Sequence, residues 1–182
     1  MTHRQRKSPR KFGFDYTSDG VYFITICTQN RLHRFGHIHN NLMCLNAAGG
    51  MVAAWWDALP SKFPTVMLDS YVVMPNHTHA LVALQPTESM ADRNPTIVVG
   101  ADQRVSPQPT QLGIPTVIQW FKTMTTNAYI RGVKDDKWEP FIGRLWQRSY
   151  HDRIVRDEAE WGRIRQYIVS NPALWAQDTF FD

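Results

Sequence analysis

Cysteine is scarce in this chain of 182 residues, which has only Cys27 and Cys44. Two so far apart exclude a zinc motif and suit a reducing compartment, where they serve as small buried hydrophobes. No uninterrupted apolar run approaches the ~20 residues of a membrane span. The N-terminus lacks the charged-then-apolar layout of a secretory signal. There is no internal repeat, no heptad pattern and no glycine-rich phosphate loop, so nothing points to ATP-driven chemistry. The expectation is a cytoplasmic protein with no membrane partner. Its length fits one domain over residues 1–182, built round one sizeable core.

What charge there is lies unevenly. The net value is +4, yet residues 1–12 alone hold Arg4, Arg6, Lys7, Arg10 and Lys11 with no acid. That segment reads as a basic flexible arm. Residues 120–156 add eight basic residues against four acids. A basic arm and a basic middle suit a polyanion such as nucleic acid, although a solvated tail carries the same signature.

Hydrophobic periodicity supplies the elements. Val21 to Thr28 is rich in β-branched and aromatic residues and reads as a strand. A weaker strand is expected over Gly36 to Cys44. Residues 46–62 read as a helix, with Met51, Val52, Trp55, Trp56 and Leu59 at helical spacing and Pro60 near the end. Residues 66–74 and His77 to Leu84 form a strand pair turned by Pro75-Asn76. Residues 85–115 change character, with five prolines among small polar residues, and read as a mobile insertion loop. Thr116 to Arg131 resumes a helix, and 144–155 suggests a fifth strand. Asp157 opens a last helix, its acids early and Arg163 and Arg165 later, matching the helix dipole. Asn171-Pro172 should end it, because the residue before proline is pushed out of helical geometry. The sum is an α+β fold of the ferredoxin-like or RRM-like kind: a mainly antiparallel sheet of about five strands with helices on one face.

The chemistry concentrates at His77-Thr78-His79. Strand side chains alternate, so the two imidazoles share a face and make half a site for a divalent ion. Tyr167 and Asn171 lie four apart on the last helix and also share a face. Asn171 offers an amide oxygen and Tyr167 a phenol one turn away. A tyrosine beside an apolar stripe serves equally well as core packing, and spacing alone does not separate the two readings.

Three blocks carry a resemblance. Tyr71-Val72-Val73-Met74-Pro75-Asn76-His77-Thr78-His79-Ala80-Leu81-Val82 resembles the HUH motif of the single-tyrosine transposases. The nearest group is that associated with repetitive extragenic palindromes, relatives of the IS200/IS605 family. Leu145 to Arg156 and Arg163 to Trp175 follow in the family's order. With the opening strand, the resemblance spans most of the chain. Residues 85–115 have no counterpart, and the bulky apolar middle residue of the motif is Thr78 here. Its side chain points away from the metal face, so only the packing behind is affected.

The resemblance implies a metal-dependent single-stranded DNA endonuclease and strand transferase acting at hairpin or palindromic DNA. His77, His79 and Asn171 would be the ligands of Mg2+ or Mn2+. Tyr167 would be the nucleophile forming a 5′-phosphotyrosine, with Tyr150 as runner-up. Lys122, Lys134, Lys137, Arg144, Arg148, Arg153 and Arg156, with the basic arm, would be phosphate contacts. Relatives act as dimers that share active sites, whereas the palindrome-associated group need not, so a homodimer and a monomer both stay open. Rival readings are a domesticated, inactive DNA-binding protein and a metal-dependent nuclease in which Tyr167 is structural. A replication initiator or relaxase would need further domains.

Overall fold

A computed structural model of the chain describes residues 20–85 and 113–181. The basic arm and nearly all of the expected insertion loop lie outside the described residues.

The elements follow the sequence in order. They are β1 (Gly20–Cys27), β2 (Gly36–His39), β3 (Leu42–Leu45), α1 (Ala47–Asp57), α2 (Leu59–Lys62), β4 (Val66–Val73) and β5 (His77–Leu84), then α3 (Ile114–Asp135), β6 (His151–Ile154) and α4 (Glu158–Ser170). The main sheet is antiparallel, ordered β4-β5-β1-β6, while β2 and β3 pair as a separate hairpin. With the hairpin set aside, the β-α-β-β-α-β order is the ferredoxin-like split arrangement that the patterning pointed to.

Three local results differ from expectation for physical reasons. The segment read as one strand over 36–44 is a hairpin. Asn40 and Asn41 take positive φ, 49° and 62°, the pair of left-handed residues that a two-residue turn requires. The helix over 46–62 breaks at Ala58 before Pro60, which sits in the first turn of α2. Only His151–Ile154 of the expected fifth strand pairs regularly, with Trp146 adding a single bridge to Thr28.

The two faces of the sheet have different tasks. Tyr22, Ile24 and Ile26 of β1 and Ala80 and Val82 of β5 are fully buried with Val52 and Trp56 of α1 and Val117, Ile118 and Phe121 of α3. Thr78 belongs to this face. It accepts from Trp56 Nε1 at 2.9 Å and donates to the Val72 carbonyl at 2.8 Å. Its hydroxyl is thus satisfied inside the core, as a buried polar group must be.

Helix α4 packs on the other face. The β4–β5 register shifts between Leu68 and Ser70, leaving Asp69 as the extra residue of a bulge. Its carboxylate accepts from Trp161 Nε1 at 2.8 Å and Arg165 Nε at 3.1 Å. Those hydrogen bonds outweigh the desolvation that opposes them, and hold the Asp69 carboxyl below its ordinary range. The helix starts at Asp157, whose side chain caps Glu160 N at 2.7 Å. No helix among the described residues is long and apolar enough to cross a membrane.

Candidate active site

His77 and His79 lie side by side on β5, and their Nε2 atoms are 3.0 Å apart. Both are buried, at 0% and 1% exposure. Each ring is held from behind. His77 Nδ1 is 2.9 Å from Asn76 Oδ1. The Asn76 amide nitrogen donates to the carbonyls of Arg31 (3.2 Å) and Phe180 (2.6 Å), so its oxygen must face the ring. That fixes His77 with its proton on Nδ1 and a bare lone pair on Nε2. His79 Nδ1 is 2.8 Å from Thr25 Oγ1, a hydroxyl that can donate or accept. When Thr25 donates, His79 Nε2–H hydrogen-bonds to His77. When Thr25 accepts, two lone pairs face each other and need a cation between them.

The spacing fits such a cation. Ligands at right angles on an ion with bonds of about 2.1 Å lie about 3.0 Å apart, the edge of an octahedron. A tetrahedral ion with bonds of that length would ask for about 3.4 Å. Both imidazoles are also neutral, as ligands must be. Burial, with the nearby Arg31 charge, pushes His77 down to about 3, and burial with His77 beside it pushes His79 well below its ordinary value.

Three further groups converge from the C-terminal side. The Tyr167 hydroxyl is 3.4 Å from His79 Nε2 and 3.4 Å from Asp178 Oδ2. Asn171 Nδ2 donates to Asp178 Oδ2 at 2.8 Å, while Asn171 Oδ1 is buried with no partner. An orphaned buried carbonyl oxygen is what a ligand position looks like before its ion is supplied. Donor atoms of His77, His79 and Asp178 all lie within 4.8 Å of one another. Burial and the Asp178 charge push the Tyr167 phenol up to about 12.

Sequence reasoning brought His77, His79, Tyr167 and Asn171 together, as the structure does, but missed Asp178. The α-helix does end at Ser170, yet Asn171 keeps helical angles (φ −55°, ψ −42°) and the chain runs on as a 3-10 segment, Asn171–Gln177. That continuation turns Asp178 back to the histidines. Trp175 and Phe180 close over His77, with ring centroids at 5.8 and 4.8 Å. Only the clustering of aromatics at the C-terminus could have signalled it. The approach from solvent lies along Tyr167, which is 37% exposed. Tyr150 is packed in the hydrophobic core.

The charged candidates separate. Lys122 Nζ sits on three carbonyls, those of Gln147, Arg148 and Ser149, at 2.6, 3.2 and 3.3 Å. Arg153 and Arg156 both pair with buried Glu160. Hydrogen bonding from Arg156 takes that carboxyl down to about 2. Lys134, Lys137, Arg144 and Arg148 are exposed.

The neutral histidine pair makes stability depend on pH. Below about 6.5 the unfolded chain takes up protons that the folded pair refuses, so stability falls as pH drops from there towards 3. The slope is at most about 1.4 kcal/mol per pH unit for each histidine. Thermal melts of the metal-free protein should be flat from pH 8 to 7 and decline between 6.5 and 5. A melting temperature independent of pH down to 5 would contradict neutral burial.

No protein-family model matches the chain. An uncharacterized protein of Haemophilus influenzae is 35% identical over 177 residues, 97% of this chain and 93% of that protein. A solved structure of a REP-associated tyrosine transposase bound to a REP hairpin superposes with a TM-score of 0.57 at 16% identity. The match covers 90% of this chain and 72% of that one.

Proposed function

We propose that this chain, which belongs to one family with the Haemophilus influenzae protein and carries the fold of a REP-associated tyrosine transposase, is a metal-dependent endonuclease and strand transferase for single-stranded, hairpin-bearing DNA. One observation carries the reading: a phenol oxygen stands 3.4 Å from a buried imidazole pair whose own spacing is 3.0 Å. His77 and His79 would hold Mg2+ or Mn2+ with oxygens from Asn171 and Asp178. When bound, the ion would polarise the scissile phosphate and make the neighbouring phenol more acidic.

This chain's own groups supply the rest. Tyr167 Oη bonds to phosphorus and the P–O3′ bond breaks, leaving a 5′-phosphotyrosine and a free 3′-hydroxyl. The phenolic proton passes to Asp178, the carboxylate within reach, and a proton delivered from there, directly or through water, completes the departing 3′-hydroxyl. The aryl phosphate keeps the phosphodiester linkage, so a 3′-hydroxyl can reverse the step and no ATP is needed.

The test is incubation with labelled hairpin single strands and manganese, read on a denaturing gel. A protein–DNA adduct with a free 3′-hydroxyl product is expected. Nicking without an adduct would make Tyr167 structural, and binding without either would make the chain a DNA-binding protein only.

Thr25 should matter without touching the ion, because it orients His79 from behind. Thr25→Val is expected to weaken manganese binding about 10–100-fold, the usual effect of removing such a support. Calorimetric titration checks it, and an unchanged affinity would remove Thr25 from the site.

A further inference from the structure

The β2–β3 hairpin also brings metal-binding side chains together, outside the site on β5. His37 is the register partner of Cys44, and His39 is that of Leu42. Residues directly opposite in an antiparallel pair share a side, and so do residues two apart on one strand. His37, His39 and Cys44 therefore lie on one face with Leu42. It is the outer face: His37, His39 and Leu42 are exposed, and Cys44 is half-buried. Ile38 and Met43 take the inner face, where Met43 packs against the core. On one continuous strand, as the sequence suggests, Cys44 would face away from both histidines. The Asn40-Asn41 turn brings it round to their side.

This register is firmly held. The two-residue turn sets the pairing, and a slip by one residue would put Met43 outside. Gly36 permits a close approach that no other residue could make, because a Cβ there would collide with the Cys44 carbonyl. Both ends of the hairpin are anchored. Arg34 N and Phe35 N donate to the Pro75 carbonyl at 2.8 and 3.1 Å, and Asn46 N donates to the Phe35 carbonyl at 3.1 Å.

We infer that His37, His39 and Cys44 form a second metal site, for a borderline-soft divalent ion such as Zn2+, with its fourth position open. The donor set selects the ion: two imidazoles and a thiolate suit zinc, whereas Mg2+ and Mn2+ prefer oxygen. The separation of the two cysteines excludes a paired-cysteine motif, and this site needs only one. Directly opposite Cβ atoms lie about 4.5–5.5 Å apart and diagonal neighbours about 7–8 Å, both within reach of an imidazole. Tetrahedral zinc asks for about 3.6 Å between nitrogen and sulfur ligands. The three donor atoms do not converge as those of His77, His79 and Asp178 do. His37 and His39, being exposed, close that gap by turning about χ1 and χ2. Binding replaces the thiol proton, which leaves to water. The ion then pins both strands of a hairpin that Pro75 ties to the start of β5. This inference stands independently of the strand-transfer reading.

The test titrates the untagged full-length protein with Co2+, a spectroscopic stand-in for zinc. The proteins are wild type, Cys44→Ser, His39→Gln and His79→Gln. The hairpin substitutions are at exposed or half-buried positions, so both variants should fold, and melting curves check that they do. Wild type should develop a thiolate-to-cobalt charge-transfer band in the near ultraviolet that Zn2+ displaces. Cys44→Ser should lose the band. His39→Gln should need at least about tenfold more cobalt to reach it, since losing a ligand costs no less than losing a support. His79→Gln disables the site on β5 and should keep the band at wild-type cobalt concentrations. Absence of the band in wild type overturns the inference. A band that survives in Cys44→Ser, or disappears in His79→Gln, assigns the thiolate to Cys27 and overturns it too. An unchanged titration of His39→Gln removes that histidine and with it the three-ligand site.

Discussion

Tyr167→Phe is expected to abolish covalent capture of DNA while leaving the folded protein almost unchanged. The substitution removes one oxygen. Its contacts are long, 3.4 Å to His79 and 3.4 Å to Asp178, and the residue is 37% exposed. The ring keeps its edge contacts with Phe23 and His79 at 6.0 and 5.3 Å. Stability should therefore move by no more than about 1 kcal/mol. The proposed reaction would lose its nucleophile, so cleavage should fall by at least about 10³-fold. On the proposed reading hairpin affinity should stay within a small factor, because it would reside in phosphate and base contacts elsewhere. Tyr150→Phe is the control. That side chain is 6% exposed in the core, so its adduct yield should persist in whatever fraction remains folded. Adduct formation by Tyr167→Phe but not by Tyr150→Phe would show that the wrong tyrosine had been chosen.

His79→Ala should abolish activity by a different route. It removes one of two facing ring nitrogens, and with it the partner of Thr25 and the ring stacked on Phe23 at 5.1 Å. Manganese affinity should drop more than about 100-fold, beyond the loss expected for a supporting residue. The buried cavity will also cost stability, about 2–4 kcal/mol by analogy with other large-to-small changes. His79→Gln fills most of that space and separates the two effects. It should melt closer to wild type yet still bind manganese weakly. Equal ion affinity in wild type and both variants would remove the histidine pair from the metal site.

The distribution of what was legible follows from the range of the forces involved. Strand alternation is local, so Thr78 facing the core and His77 and His79 facing away could be read directly from three residues. The helical spacing of Tyr167 and Asn171 is local too. Asp178 was not legible, because its position depends on a 3-10 continuation through Asn171-Pro172. The rule that a residue before proline avoids helical angles predicted the opposite there. The roles of Arg153, Arg156 and Lys122 were not legible either. A basic residue offers the same charge to a phosphate, a buried glutamate or a ring of carbonyls, and only the fold decides among them. The Asp69 bulge that anchors α4 leaves no trace in periodicity beyond one acid within a strand.

Strand β1 is made early yet lies in the middle of the sheet, between β5 from mid-chain and β6 from near the end. A ribosome therefore releases β1 with both edges unpaired, and the second edge stays open until β6 emerges. At ordinary synthesis rates that interval is on the order of ten seconds. During it the histidine pair can form as β5 pairs with β1, but Tyr167 and Asp178 have not yet been made. The nascent chain is thus a half-built sheet with one exposed strand edge and an incomplete site, and overexpression should strain its solubility. On the proposed reading, the site would be complete only once Asp178 has been made.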